Sequence, residues 1–337
     1  MADEIRGKEF VDLIQKIDSS TGKSIGETIL DIASGQTKIR EGFTSHLGSA
    51  SRDISETLAR GRGYLNPIRQ TSDQEIDRMM AKGTGLEILR GADRKSLENL
   101  TNENSLNTPT SAYNEGGGGL YFSVEAASDQ QIKNIGISNA NHSGQYTASH
   151  YAKMGTKEGQ STGIMRAIIP SSAKIANSFS DEYRKDVGTR FERIISDLDE
   201  MEKAGLNVSQ ARNVLLAIKS KDQEYASADV LSGYDAVALE SNEVRLINRP
   251  AALSSGVKST EQITQLYPET ARTTRARGSG IMKHYTESMQ ERHQMAVARN
   301  QSQKLSLDGT SPPTDSRPFI NIGSGAIAAR RRSRLNR

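Results

Sequence analysis

Three short segments of the sequence place a chemically active side chain at the end of an apolar stretch. Arg90 ends an alternating segment and precedes Gly91, where we expect the backbone to turn. Ser123 ends a short segment that follows four glycines, and Glu243 begins an apolar segment. The planar fork of an arginine can bind two phosphate oxygens. A serine hydroxyl can orient a carboxylate, and a carboxylate held rigidly at a strand end can stabilise a positively charged ribose. These three groups suffice in principle to bind a phosphorylated sugar and to support positive charge on it.

Each segment also has an ordinary structural interpretation. Arg90 fits an exposed side chain at a strand exit, and Glu243 fits a solvated residue in a hairpin turn, where Glu240 competes with it for either role. Residues 116–119 are all glycine and suit a flexible loop that leads into a core strand. The residue types alone leave these alternatives open.

Other common sites are excluded by residue type and spacing. The chain has no Cys, which excludes disulfides, thiolate metal sites and a Cys nucleophile. Its five His residues are dispersed without the helical spacing of a zinc site, so we expect no metal. Neither the glycines at 116–119 nor the Gly-Lys-Ser at 22–24 has the spacing of a phosphate-binding P-loop or of a dinucleotide fingerprint.

The composition indicates a packed domain with polar flanks. Only 34% of the 337 residues are apolar, 5% are aromatic, and the mean hydropathy is −0.61. The net charge of +3 is uneven, because residues 254–337 contain fourteen Lys/Arg and six Asp/Glu, a net of +8, which leaves −5 for residues 1–253. A contact with nucleic acid is therefore expected only through the basic tail.

The order of the elements predicts an α+β domain, residues 76–253, between two flanks. Residues 1–66 carry helical patterns interrupted by glycines, which favours a separate helical or partly ordered N-terminal module ending at Asn66-Pro67. Residues 254–337 are rich in Ser, Thr, Arg and Gln, and we expect a basic, largely disordered tail.

Within the domain, short strands alternate with helices. A strong helical pattern at residues 180–204 is followed by a second at 208–219, which together predict a helical hairpin. Strands are predicted at residues 86–91, 120–123, 163–170, 234–239 and 244–247, and further helices at 72–82 and 147–152.

The succession of these motifs resembles the Arg-Ser-Glu class of ADP-ribosyltransferases, above all its bacterial effector, toxin and phage-associated members. The resemblance rests on Ile-Leu-Arg-Gly-Ala-Asp at 88–93, Gly-Gly-Leu-Tyr-Phe-Ser at 118–123, the helix at 148–152, Gly-Ile-Met-Arg-Ala-Ile-Ile-Pro at 163–170 and Asn-Glu-Val-Arg-Leu-Ile at 242–247. It covers residues 87–253, about half of the chain. It implies a split mixed β-sheet with flanking helices and a helical hairpin insertion, which binds NAD in its cleft.

The resemblance also implies roles for individual residues. Arg90 would contact the phosphate and nicotinamide-ribose side of NAD, Ser123 would position the catalytic glutamate, and Glu243 would be that glutamate. Further contacts with NAD are predicted at Gly91, Gly119, Tyr121, Phe122 and Tyr151. The predicted reaction moves ADP-ribose from NAD to a protein side chain and releases nicotinamide, without a metal.

Two positions depart from the pattern of this class. Members often carry Ser-Thr-Ser, whereas Ser123 is followed here by Val124 and Glu125. They often carry Gln or Glu two positions before the catalytic glutamate, where Ser241 stands here. The second departure leaves the modified residue unnamed, and both leave open a copy of the fold that binds a partner without turnover.

The cellular setting follows from the resemblance and from what the sequence lacks. There is no apolar run of eighteen residues and no basic and then apolar layout of a secretory signal, so we expect neither a membrane span nor export by the general route. A protein delivered into a host cell, where it modifies host proteins in the cytoplasm, fits these expectations. There are two alternatives. One is a cytoplasmic location in the producing cell, and the other is a phage or structural protein whose basic tail contacts nucleic acid.

Overall fold

A computed structural model describes residues 4–36, 49–108, 119–127, 135, 144–154, 161–239 and 242–267 of the chain. The strands in these ranges are β1 (Arg69–Gln70), β2 (Gly85–Asp93), β3 (Leu120–Ala126), β4 (Thr162–Pro170), β5 (Ile175–Asn177), β6 (Ala236–Leu239), β7 (Glu243–Leu246) and β8 (Leu253–Lys258). The helices are α1 (Gly7–Gln15), α2 (Ile25–Ala33), α3 (Ser49–Gly61), α4 (Asp73–Ala81), α5 (Arg94–Asn99), α6 (Gly144–Met154), α7 (Asp181–Gly188), α8 (Arg190–Lys203), α9 (Ser209–Lys221), α10 (Ala226–Leu231) and α11 (Thr260–Leu266). Short 3-10 helices span Glu103–Asn107 and Arg249–Ala251.

The described strands form one mixed sheet in the order β1-β8-β4-β2-β3-β7-β6-β5. β1 runs parallel to β8 and β5 runs parallel to β6, while the other neighbours are antiparallel. The prediction of an α+β domain with a mixed sheet and flanking helices is therefore confirmed. We call β1, β8, β4 and β2 the first wing of the sheet, and β3, β7, β6 and β5 the second wing.

The two wings are joined by a short stretch of pairing between β2 and β3. β2 pairs with β4 along its whole length, from Gly85 opposite Pro170 to Asp93 opposite Thr162. Its pairing with β3 has a register shift after Glu87 and does not continue beyond Leu89. The C-terminal part of β2 thus leaves β3 while it stays paired with β4, and the sheet opens at that point.

The N-terminal helices do not have a core of their own. Phe10 of α1, Ile29 of α2 and Leu58 of α3 are fully buried in one apolar cluster with Leu215 of α9 and Val237 of β6. We call α1–α3 and α7–α10 the helical lobe, which covers one face of the second wing. The expectation of a separate module in residues 1–66 is corrected, because helices this short bury enough apolar surface only by sharing a core.

The pattern at residues 180–204 forms two helices, α7 and α8, where one was predicted. The break lies at Thr189, whose φ of −104° and ψ of 3° are not helical. The Thr189 hydroxyl donates to the carbonyl oxygen of Lys185 at 2.8 Å and so competes with the backbone for this acceptor. The second predicted helix is α9, which packs against α8 as the expected hairpin.

The domain continues beyond the predicted boundary at residue 253. β8 lies between β1 and β4, and α11 follows it with a capping box formed by Ser259 and Gln262. The pattern of β8 is too polar to stand out in the sequence, but pairing on both sides satisfies its backbone groups. The rest of the tail, with the basic clusters at 272–277 and 330–337, lies outside the described residues.

Candidate active site

The hydroxyl of Ser123 and the carboxylate of Glu243 belong to residues that lie directly opposite each other on β3 and β7. Ser123 is also opposite Leu89 of β2, so the three residues form a row across the junction of the two wings. Residues opposite each other in an antiparallel pair have side chains on the same face, with Cβ atoms roughly 5 Å apart. The structure therefore brings Ser123 and Glu243 together although 120 positions separate them in the chain.

Arg90 occupies the point where β2 leaves β3. It follows Leu89, the last residue of β2 that pairs with β3. Its Nη1 donates to the backbone carbonyl oxygen of Tyr121 at 2.5 Å, and its guanidinium lies 6.0 Å from the centre of the Phe122 ring. The side chain thus replaces the missing backbone hydrogen bond to Tyr121 and spans the opening between the wings.

The electrostatic surroundings of Arg90 connect it to Glu243 and to two nearby tyrosines. Burial lowers the pKa of Arg90 to about 10, while Tyr151, Glu243 and Tyr121 oppose this shift. The guanidinium keeps its proton at neutral pH, and the Glu243 carboxylate is close enough to stabilise that charge. A cation, a hydroxyl and a carboxylate therefore share one region at the junction of the wings.

Helix α6 lies across β2 and β3 and brings a fourth polar group to this region. The hydroxyl of Tyr151 donates to Oε1 of Glu243 at 3.3 Å, which is a long hydrogen bond. A Cβ on Gly91 would be 1.7 Å from the carbonyl oxygen of Ala148. The helix can come this close only because Gly91 has no side chain. The predicted turn after Arg90 is corrected, because β2 continues through Gly91, and the glycine serves contact with α6 instead.

Glu125 holds the N-terminal end of α6. Its Oε2 accepts a hydrogen bond from the backbone nitrogen of Gln145 at 2.7 Å, and only 5% of the residue is exposed. Burial raises the pKa of Glu125 to about 7, and Glu87 adds to this shift, while the Gln145 amide and Arg166 oppose it. Glu125, which departs from the Ser-Thr-Ser pattern, therefore has a structural role that no pattern in the sequence indicates.

Replacement of Glu125 by glutamine tests this buried carboxyl. Because the pKa of Glu125 is higher in the folded state, folded protein binds more protons than unfolded protein between pH 4.5 and about 7. Ionisation of this group therefore lowers the unfolding free energy as pH rises through that window. Glu125→Gln cannot ionise at this position. The difference in unfolding free energy between Glu125→Gln and the wild type should therefore shift by about 2 kcal/mol in favour of the variant from pH 5 to pH 8. Urea unfolding at both pH values measures the difference, with exposed Glu182→Gln as the control. Equal pH dependence of wild type and Glu125→Gln would contradict the assignment.

β7 is anchored to the helical lobe by a buried ion pair. Arg245 donates to the carboxylate of Asp229 on α10, and the Tyr183 hydroxyl donates to the other oxygen of Asp229 at 2.8 Å. Burial raises the pKa of Asp229 to about 6, although Arg245 and Tyr183 act against this shift. Removing either partner would leave an uncompensated buried charge, so the pair keeps β7, and with it Glu243, in place.

The remaining predicted contacts with NAD have different positions. Phe122 is 1% exposed and lies in the core on the face opposite to Ser123, so its prediction as a contact for NAD is corrected to a support for Arg90. Tyr121 is half-buried. Gly119 has a φ of 147°, and a Cβ there would lie 2.8 Å from Cγ of Arg245. Roles for Gly119, Tyr121 and Tyr151 in binding NAD stay predictions.

Several predicted features lie outside the described residues. These are the glycines at 116–118 and the turn residues Glu240 and Ser241. Among the residues that are described, no group of three or more His, Asp or Glu side chains is arranged to hold a metal ion. No helix in the described ranges is long and apolar enough to cross a membrane.

Comparison of the chain with protein-family models, with curated proteins and with solved structures returns no match. Arg90, Ser123 and Glu243 come from three strands that are distant in sequence and meet where the sheet opens. Of the groups around them, Glu125 and the hydroxyl contact of Tyr151 were not anticipated from the sequence.

Proposed function

We propose that this protein transfers ADP-ribose from NAD to a protein side chain and releases nicotinamide. The observation that carries the proposal is the row of Leu89, Ser123 and Glu243 across β2, β3 and β7, with Arg90 at the opening beside it. A cation, a hydroxyl and a rigid carboxylate are the groups that this reaction needs from the protein. The two-wing sheet is the arrangement expected of an ADP-ribosyltransferase-like fold, with NAD at the junction of the wings.

In the proposed reaction, the bond between the ribose C1′ and the nicotinamide nitrogen breaks, and its electron pair leaves with nicotinamide. Positive charge develops on the ribose, and the carboxylate of Glu243 stabilises it. The nucleophilic atom of the acceptor side chain then bonds to C1′ and releases a proton to solvent. With water as the nucleophile, the product is free ADP-ribose, so slow hydrolysis of NAD is expected when no acceptor is present.

Arg90 is the proposed contact for the pyrophosphate. A guanidinium has five N–H donors, so the bond to Tyr121 engages only part of it and its fork still suits phosphate oxygens. Ser123, opposite Glu243, is suited to hold the carboxylate in place. Each role uses a side chain that is fixed on a strand rather than carried by a loop, which favours a preorganised site.

The acceptor is proposed to be a protein of a host cell, and the chain a bacterial effector or toxin that acts there. This setting rests on the resemblance of the motifs to such proteins. If the chain acts instead in the cell that makes it, the acceptor belongs to that cell and the chemistry is unchanged.

The proposal is tested by incubation of the protein with isotopically labelled NAD and a cell lysate, followed by mass spectrometry of labelled proteins. We expect a labelled acceptor with the wild type and none with Glu243→Gln. Nicotinamide release without lysate measures the hydrolytic reaction separately. If the wild type and Glu243→Gln both stay at background in the two assays, the protein is a binding protein that does not turn NAD over.

Arg90→Lys should weaken NAD binding more than it slows the chemical step. Lysine keeps the charge but loses the planar fork, whose separate nitrogens can bond the Tyr121 carbonyl oxygen on one side and phosphate oxygens on the other. We expect the KM for NAD to rise by about tenfold, equivalent to the loss of one charged hydrogen bond. Steady-state kinetics of nicotinamide release measures this, with exposed Arg184→Lys as the control. An unchanged KM would remove Arg90 from the binding site.

A further inference from the structure

We propose that Tyr151 is a positioning residue, whose hydroxyl holds the Glu243 carboxylate in its reactive orientation, and that α6 is the element that sets this contact. The inference deepens the proposed function and rests on it for its kinetic consequences. It assigns Tyr151 a role that differs from the direct contact with NAD predicted from the sequence, such as stacking of its ring on nicotinamide. The contact on which it depends is the hydrogen bond of 3.3 Å from the Tyr151 hydroxyl to Oε1 of Glu243.

The middle of α6 is fixed against β2 by backbone contact. A Cβ on Gly91 would lie 1.7 Å from the carbonyl oxygen of Ala148 and 2.7 Å from the backbone nitrogen of Ala152. Ala148 and Ala152 are buried in one apolar cluster with Leu89, the residue opposite Ser123. Tyr151 lies between these two contacts, so its backbone cannot move without separating the helix from the strand.

The N-terminal end of α6 is fixed at two further points. The carboxylate of Glu125 accepts from the backbone nitrogen of Gln145, and the Gln145 side chain donates from Nε2 to Oγ1 of Thr264 on α11 at 3.2 Å. Gly144 permits this approach, because a Cβ there would lie 2.7 Å from Oε2 of Glu125. Glu125 is two positions after Ser123 on the same strand, so β3 holds both the site and the helix above it.

These contacts give α6 a fixed position along its length, and they give the Tyr151 hydroxyl a fixed distance from Glu243. A hydrogen bond to one carboxylate oxygen restricts rotation about the last side-chain bond of the glutamate. It also favours the charged form of the carboxyl group over the protonated form. Both effects serve a glutamate that must be ionised and correctly oriented when positive charge develops on the ribose.

A hydroxyl contact and a stacking contact make opposite predictions for Tyr151→Phe. Phenylalanine keeps the ring and loses the hydroxyl, so a stacking role would survive the change and a positioning role would not. Tyr146→Phe is the matched control, because it makes the same chemical change on the same helix and its hydroxyl has no hydrogen bond within the described part of the chain.

The experiment measures nicotinamide release by the full-length protein as a function of NAD concentration and pH. For Tyr151→Phe we expect kcat to fall by about ten- to a hundredfold, while the Kd for NAD stays within about twofold of the wild type. The acid limb of the kcat profile should move to higher pH, because Glu243 loses a donor to its charged form. Tyr146→Phe should leave all three quantities unchanged. An unchanged kcat and acid limb in Tyr151→Phe would overturn the inference.

A second measurement keeps this inference separate from the proposed function. If the wild type releases no nicotinamide, the proposed function fails, but the hydrogen bond can still be tested by NMR titration of protein with ¹³C-labelled glutamate. The Glu243 signal is assigned from its absence in Glu243→Gln. We expect Glu243 to titrate at lower pH in the wild type than in Tyr151→Phe. Equal titration in the two proteins would overturn the positioning role whatever the enzymatic result.

Discussion

Glu243→Gln is expected to lower kcat for nicotinamide release by about a hundred- to a thousandfold. The substitution keeps the size of the side chain and an oxygen that can accept from Tyr151, but it removes the negative charge opposite the cationic ribose. The fold should be unaffected, because Glu243 is the first residue of β7 and its pairing with Ser123 and Leu239 uses the backbone. Single-turnover assays with NAD, and circular dichroism of the same samples, measure the two effects.

Glu182→Gln is the control for this prediction, because Glu182 is an exposed carboxylate in the first turn of α7. It should have the wild-type rate. The prediction concerns chemistry rather than binding, so the Kd of Glu243→Gln for NAD should change far less than kcat. A Glu243→Gln protein that keeps the wild-type rate would show that the carboxylate takes no part in the reaction.

Gly91→Ala is expected to damage both stability and activity. The added Cβ would be 1.7 Å from the carbonyl oxygen of Ala148, whereas a Cβ atom essentially never lies within 3.0 Å of such a neighbour, so α6 must withdraw by about 1.3 Å. The obstacle is backbone, which cannot rotate away as a side chain would. We expect a loss of about 3 kcal/mol in unfolding free energy, which corresponds to a Tm lower by roughly 6–12 °C. Because α6 carries Tyr151, kcat should fall as well.

Gly188→Ala controls for the general effect of adding a methyl group to a glycine. Gly188 is the last residue of α7, and a Cβ there would meet no atom within 4 Å. Alanine is the better helix former, so this variant should be as stable as the wild type or up to about 1 kcal/mol more stable. Differential scanning calorimetry compares the two variants. If Gly91→Ala has the same Tm as the wild type, the position of α6 does not depend on its close approach to β2.

The strands that carry the site were predictable because their apolar residues alternate or run continuously over a few positions. The pattern after Glu243 predicted an entry into a strand, and Glu243 is the first residue of β7. The segment ending at Ser123 was predicted as a strand and forms the first half of β3. Such patterns depend only on neighbouring residues, so a single sequence is enough to reveal them.

The elements that were mispredicted depend on contacts between distant residues. β8 has no clear alternation and gains its stability from β1 and β4 on its two sides. The break at Thr189 comes from a hydroxyl that bonds a carbonyl oxygen within the helix, in a stretch whose apolar spacing is continuous. The N-terminal helices looked like a separate module because the partners of their apolar faces lie more than a hundred positions away.

Gly91 is the clearest case of a residue whose meaning changes with the tertiary structure. A glycine at the end of an apolar segment is typical of a turn, so the sequence predicts a turn at Gly91. In the fold it lies inside β2 and admits the backbone of a helix that begins more than fifty positions later. The local pattern is the same in both cases, so only the packing of α6 distinguishes them.

The amino-acid sequence by itself determined which side chains stand at the ends of strands, and so the chemical types available to the site: Arg90, Ser123 and Glu243. The tertiary structure decided that β2, β3 and β7 are neighbours, that the sheet opens at Arg90, and that α6 brings Tyr151 to Glu243. The physical reason is that hydrophobic periodicity reports which face of an element is buried, whereas strand order and helix placement depend on how all the faces fit together.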